Sequence, residues 1–153
     1  MIMKTETLNR VAEAFRRRGL RATPQRLAIA SVVLGTDRHP SVQKVYEEVR
    51  KSFPTTGLAT VYNTLHALAE LGFVQELTYP DGLRFDADPA PHINLVCDGC
   101  GTIIDAHAWD ATVEHLRQRI GEELEFAVRG QRLDFYGLCR DCRRRDGGTA
   151  APA

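Results

Sequence analysis

The sequence predicts an α+β chain in two parts, four helices closed by a two-stranded hairpin and then a small α/β unit of short strands about one helix. Three observations predict it: apolar residues at helical spacing between Leu8 and Leu71, a turn at Tyr79-Pro80-Asp81-Gly82 between strand-like runs, and short alternating runs beyond residue 88. Helices followed by such a hairpin describe a winged helix-turn-helix. The boundaries expected are 1–87 for the first domain, 88–145 for the second, and 146–153 for a disordered tail with nothing apolar enough to anchor it.

Leu8, Val11, Ala14 and Phe15 give the first helix one apolar face, and Gly19 is a fitting stop. Thr23-Pro24 opens the second, a cap oxygen followed by a proline whose missing N–H costs nothing at the first helical position, and the helix runs to about Leu34. Ser41 caps the third, with Val42, Val45, Tyr46 and Val49 as its buried stripe. After the break at Phe53-Pro54-Thr55-Thr56-Gly57, a fourth helix over 58–71 is expected to bury Leu58, Val61, Leu65 and Leu68, leaving Thr60, Asn63 and Thr64 off that stripe. Gly72 ends it, and strands over 73–78 and 83–86 flank the turn. In the second part, strands are expected over 93–96, 102–105, 126–129 and 131–136, around a helix with the stripe Trp109, Val113, Leu116 and Ile120.

The chain has 153 residues, 43% of them hydrophobic, which suits one ordinary domain or two small ones. It has no run of 18 apolar residues, and its start, Met1-Ile2-Met3-Lys4-Thr5, lacks the apolar core of a secretory signal, so a cytoplasmic location is expected, with no membrane partner. A net charge of zero conceals an asymmetry: residues 1–80 carry 11 Lys and Arg against 7 Asp and Glu, and the remainder 9 against 13. Polyanions would prefer the first part, where Arg16, Arg17, Arg18 and Arg21 cluster.

The four cysteines form two Cys-x-x-Cys pairs, Cys97-Asp98-Gly99-Cys100 and Cys139-Arg140-Asp141-Cys142. In a reducing compartment such pairs are metal ligands or redox dithiols rather than structural disulfides. Four soft thiolates suit closed tetrahedral Zn(2+), which would staple the start of the second domain to its end. A redox dithiol of the thioredoxin kind would need its pair at the mouth of a helix in a βαβ context, which the predicted elements do not supply.

Several motifs in order, Leu20-Arg21-Ala22-Thr23-Pro24-Gln25-Arg26, His39-Pro40, Ala59-Thr60-Val61-Tyr62-Asn63-Thr64-Leu65, Arg84-Phe85-Asp86 and the stretch from His92 to Cys100, closely resemble the ferric uptake regulator family, with a match from about Leu8 to Cys142. The resemblance implies a homodimeric, metal-activated transcriptional repressor that binds a double-stranded DNA operator, the second domain serving dimerisation. It implies that the helix bearing Ala59 to Tyr62 enters the major groove, with the Tyr62 ring against a thymine methyl, Thr60 and Asn63 hydrogen-bonding bases or phosphates, and Arg21 reaching the minor groove. Asn63 stands where iron-uptake repressors usually carry arginine, and Asp105 where they more often carry glutamate; both look more like the peroxide-sensing branch.

That branch binds its regulatory metal through three histidines and two aspartates. The matching positions here are His39, Asp86, His92, Asn94 and Asp105, so four of five ligands are kept and an amide replaces one imidazole. Nitrogen and oxygen donors suit Fe(2+) or Mn(2+). The resemblance implies that the metal clips the two domains together and that His39 and His92 are the imidazoles oxidised when Fe(2+) meets peroxide. No role is assigned to His66, His107 or His115. An iron- or manganese-uptake regulator without peroxide sensing is the alternative. A zinc enzyme or thiol oxidoreductase would need an open metal position beside a general base, such as His-Glu-x-x-His, and the sequence has none, so an enzyme is not expected.

Overall fold

Helices α1 (Thr5–Arg17), α2 (Pro24–Leu34), α3 (Val42–Arg50) and α4 (Leu58–Glu70) lead into strands β1 (Gln75–Tyr79) and β2 (Gly82–Asp86). The computed structural model describes residues 5–36, 38–88, 90 and 92–145; the tail expected to be disordered, 146–153, lies outside them. The chain packs as two units, the first running to residue 89 and the second beginning at Ala90.

Local capping sets the helix starts of the first unit. Thr23 Oγ1 accepts the Arg26 N–H at 3.4 Å, with Pro24 at the first helical position, and Ser41 Oγ accepts the Lys44 N–H at 3.3 Å. Gly19 and Gly72 follow α1 and α4 with φ of 75° and 74°, the left-handed conformation that closes a helix. Val11, Phe15, Ile29, Val33, Val45, Val49, Val61, Leu65 and Leu68 then meet in one core with Phe85 of β2. The hairpin pairs Tyr79 with Gly82 across its turn. Two links tie it to the helices: the Phe85 N–H donates to the Pro40 carbonyl at 3.1 Å, and Ser41 bridges Arg84.

The fourth helix departs from its expected stripe at two places. Leu58 is 47% exposed, because the first residue of α4 stands before the core begins. Thr64, expected off the stripe, is buried; its hydroxyl donates to the Thr60 carbonyl at 2.6 Å, which satisfies the oxygen and leaves the methyl to pack.

In the second unit β3 (Ile93–Cys97) lies between β4 (Ile103–Asp105), antiparallel, and β5 (Leu133–Gly137), parallel. Helix α5 (Asp110–Glu123), preceded by a 3-10 turn (His107–Trp109), makes the crossover, and α6 (Arg140–Arg145) ends the described chain. No strand forms over 126–129, contrary to expectation: among the described residues the sheet ends at β4 and β5, and Phe126 is 63% exposed rather than packed against it. Of the stripe on α5 only Val113 is buried, while Trp109, Leu116 and Ile120 face outward.

The register gives the three-stranded sheet two unlike faces. Asn94 pairs with Asp105 and Asp134, and Leu95 with Ile104 and Phe135, so one face presents a polar row and the other an apolar one. The polar Asn94 is buried, whereas Leu95, Ile104 and Phe135 are 40%, 46% and 59% exposed. Among the described residues no helix is long and apolar enough to cross a membrane.

Candidate metal centres and nucleic-acid face

The two Cys-x-x-Cys pairs come together at one end of the sheet. Cys97 closes β3, and a tight knuckle follows, in which the Gly101 N–H donates to the Cys97 carbonyl at 2.8 Å and the Cys97 N–H to the Thr102 carbonyl at 2.9 Å. Gly101 takes a φ of 69° there. Gly99 is pressed against the other pair: a Cβ on it would stand 3.0 Å from Cys142 Sγ and 3.2 Å from Leu138. The strand pairing brings Gly137 beside Cys97, which delivers Cys139 and then Cys142 of α6 to the same place.

Four thiolates on one zinc at bonds of about 2.3 Å stand about 3.8 Å apart along each edge of the tetrahedron. Cys100 Sγ and Cys139 Sγ are 3.8 Å apart, and all four sulfurs lie within 4.8 Å of one another. The donor set and its spacing therefore fit zinc. The thiols are not equivalent before metal arrives. The backbone N–H of Cys139, 3.2 Å from Cys97 Sγ, holds that thiol down at about 6 against burial, while burial pushes the Cys142 thiol up to about 12 although Arg145 donates to it at 2.8 Å. The Thr102 hydroxyl lowers Cys100. Cys139 stands just before the short α6, so a helix does follow this pair, contrary to the sequence-based expectation, but among the described residues no strand follows α6 to complete a thioredoxin-like unit around it.

Each unit also presents a buried histidine beside an aspartate. In the first, the links from Pro40 and Ser41 to β2 bring the His39 loop against the end of the wing, where His39 Nε2 lies 3.6 Å from Asp86 Oδ1 and both residues are at most 3% exposed. His39 holds a φ of 44°, a conformation uncommon outside glycine and more frequent for histidine than for most residues. Asp86 is steadied by the Asp88 N–H at 2.8 Å. In the second unit His92 Nε2 lies 3.6 Å from Asp105 Oδ1. His92 Nδ1 is 2.8 Å from the Ala90 carbonyl, an acceptor only, so Nδ1 donates to it and Nε2 is the ring nitrogen that faces Asp105. Two ligands on one tetrahedral ion with bonds of about 2.1 Å stand about 3.4 Å apart, close to both separations. At 3.6 Å each pair is within ion-pair range and also near the separation of two ligands on one ion. Asn94 is buried next to Asp105.

The helix expected to read DNA carries Ala59, Thr60, Tyr62 and Asn63 on its exposed side, with Tyr62 at 50% exposure. Gly57 gives α4 no side-chain cap, and its start opens into a groove of about 440 Å³ lined by Arg21, Thr23, Arg26, Thr55, Gly57 and Thr60. Uncapped amides, hydroxyls and two guanidinium groups are the donors that contact with a phosphate backbone would require. Arg21 is held in place through its carbonyl, which accepts from Arg26 Nη1 at 3.0 Å. His66, given no role from sequence, stacks near Tyr62 with ring centroids 6.4 Å apart and contacts Glu76 of β1 at 3.0 Å, steadying the exposed ring. Its spacing of four from Tyr62 on one helix was the signal that could have found it.

Comparison with known proteins agrees with this architecture. The family model described as the ferric uptake regulator family matches residues 17–136. The chain is 36% identical over 132 residues to the peroxide-responsive repressor PerR of Staphylococcus epidermidis, covering 85% of this chain and 86% of that protein. It is 34% identical over 145 residues to the peroxide operon regulator of Bacillus subtilis, covering 94% and 99%. Among solved structures, the Campylobacter jejuni peroxide stress regulator superposes with a TM-score of 0.70 at 26% identity, over 92% of this chain and 100% of that one. The Helicobacter pylori ferric uptake regulator Fur, at 21% identity, shares the fold with a TM-score of 0.79 over 93% and 95%. The chain belongs to the ferric uptake regulator family.

Proposed function

We propose that this chain is a metal-dependent repressor of transcription, a regulator and not an enzyme, that binds double-stranded DNA in the cytoplasm as a homodimer and releases it in response to peroxide. The relatives named for peroxide response support the signal. The observation that carries the reading is the matched pair of buried His–Asp contacts, each 3.6 Å, one in each unit. We assign the regulatory Fe(2+) or Mn(2+) to His39, Asp86, His92 and Asp105, with Asn94 as the fifth position, and structural Zn(2+) to Cys97, Cys100, Cys139 and Cys142. Residues 1–87 form the DNA-binding domain, reading its operator with Arg21, Thr60, Tyr62 and Asn63, and residues 88–145 the dimerisation domain, whose apolar row of Leu95, Ile104 and Phe135 faces a second copy.

Fe(2+) held by these residues would supply the redox chemistry that activates peroxide, with the imidazole as the net electron donor. The chain's own contribution is to hold two imidazoles, His39 and His92, where they are oxidised. In the net reaction an imidazole C–H becomes C–O, one peroxide giving one oxygen to the ring and leaving as one water. An oxidised ring is a poorer ligand, and because metal occupancy and DNA affinity are linked, losing the ion weakens repression. The test is operator binding by the purified protein titrated with Fe(2+), Mn(2+) and Zn(2+), with and without peroxide, followed by mass spectrometry. The expected result is loss of binding and a gain of about 16 Da on the peptide containing His39 or His92 with Fe(2+), but not with Mn(2+). Unmodified peptides and persistent binding would instead mark a plain iron or manganese sensor.

A further inference from the structure

The polar row of the second unit has a member that the metal assignment leaves unused. Asp105, Asn94 and Asp134 stand opposite one another across β4, β3 and β5, so their side chains leave the sheet on one face. Asn94, on the middle strand, is 4% exposed. Its Nδ2 donates to Asp134 Oδ1 at 3.3 Å. The other oxygen, Asp134 Oδ2, is occupied: Arg132 donates to it from Nε at 2.8 Å and Nη2 at 2.7 Å, and the Tyr136 hydroxyl stands 3.4 Å away.

This arrangement decides which way the Asn94 amide points. A carboxylate only accepts hydrogen bonds, so the amide must turn its NH₂ towards β5 and its carbonyl oxygen away from it, to the side of β4 where Asp105 and His92 stand. On that side Asn94 Oδ1 is buried and meets no hydrogen-bond donor among the described residues. Its neighbour across the strand is another acceptor, the Asp105 carboxylate. A buried oxygen beside a carboxylate is satisfied by a cation.

We propose that Asp134 is a positioning residue, locking Asn94 with its carbonyl oxygen towards His92 and Asp105 so that Asn94 Oδ1 is a ligand of the regulatory ion. Arg132 fixes the far oxygen of Asp134 and leaves the near one for Asn94. The device adapts the site to an amide: without an anchor an asparagine turns over and presents NH₂, which repels a cation, whereas an imidazole at this position needs no such choice. A hard oxygen in place of a nitrogen also biases the donor set towards Mn(2+) and Fe(2+).

This inference rests on the regulatory assignment above, and its test separates the two. Mn(2+) is titrated into the zinc-loaded full-length protein against a fluorescent chelator, with zinc content and circular dichroism confirming the fold of every variant. Asp134→Ala is expected to weaken Mn(2+) binding by roughly 10-fold or more, the usual effect of losing an outer-shell partner. Asp134→Asn, which keeps an accepting oxygen, restores most of it. Asn94→Ala weakens binding as well, and the double variant Asn94→Ala with Asp134→Ala binds no worse than Asn94→Ala alone, because Asp134 acts only through that amide. Full additivity, or unchanged binding in Asp134→Ala while His92→Ala abolishes it, overturns the role of Asp134 and leaves the regulatory site standing. Unchanged binding in His92→Ala overturns the site itself and this inference with it.

Discussion

Removing zinc from the cysteine cluster should unfold the second unit and spare the first. The main core belongs to α1–α4 and the hairpin, whereas beyond residue 90 the buried apolar side chains among the described residues are Ile103 and Val113, together with Cys97 and Cys142 themselves. Full burial of an isoleucine or valine contributes about 1.5–3 kcal/mol, so these two supply on the order of 5 kcal/mol. Structural zinc in small cysteine and histidine sites contributes about 10–16 kcal/mol at neutral pH, and only its complete ligand set secures that. The metal therefore outweighs the unit's own apolar core, and Cys139→Ser or a strong chelator should act alike. The strand amides of β3–β5 report on the second unit alone, while α1–α4 supply most of the helical signal near 222 nm. The expected result is a sharp rise in hydrogen exchange across β3–β5 with a large, still cooperative helical melt retained. Zinc-free protein that keeps β3–β5 protected and melts as before would refute the reasoning.

Phe135→Asp puts a charge into the apolar row of the sheet and should yield monomers in sedimentation velocity at micromolar protein, with zinc still at one ion per chain. Leu65→Ala, at a fully buried position of α4, should lower stability by about 2–5 kcal/mol in urea unfolding, through the cavity it leaves. Tyr62→Ala removes a ring that is half exposed and should leave stability nearly unchanged, yet cost about 1–3 kcal/mol of operator affinity and relax sequence preference in a gel shift.

Local chemistry was legible in the sequence wherever one side chain acts on its own backbone. Thr23 and Ser41 cap the helices they were expected to cap, and Gly19, Gly72 and Gly82 stand with positive φ at the turns expected of them. Spacing also made the cysteine cluster legible, since two Cys-x-x-Cys pairs have few ways to satisfy four thiolates. What failed depended on partners that composition does not specify. Residues 126–129 have the composition of a strand, but composition alone does not recruit a segment to a sheet edge, and among the described residues the sheet ends at β4 and β5. Thr64 falls off the apolar stripe in the sequence, and only the structure shows its hydroxyl closing on the Thr60 carbonyl. Asp134 was invisible for a different reason: it meets Asn94 across forty residues of chain, and only the parallel register of β5 puts them side by side.

The alternation along β3 has an evolutionary consequence. Even-numbered positions, His92 ahead of the strand and Asn94 within it, look to the side of Asp105, whereas Leu95 looks to the apolar side with Ile104 and Phe135. On the proposed assignment, sensing and assembly are written on alternate letters of one short word. Substitutions at even letters can retune which ion is held, as the asparagine at 94 illustrates, while leaving the apolar face alone, and Leu95 can drift to change partner preference at constant chemistry, whereas Cys97, odd as well, is fixed by the cysteine cluster. A single inserted or deleted residue is different in kind, because it exchanges the two alphabets at once. Lineages carrying this sheet should accordingly diversify by point substitution in β3 and keep its length fixed, and paralogues in one cell could acquire different signals while still risking mixed dimers until the odd letters diverge too.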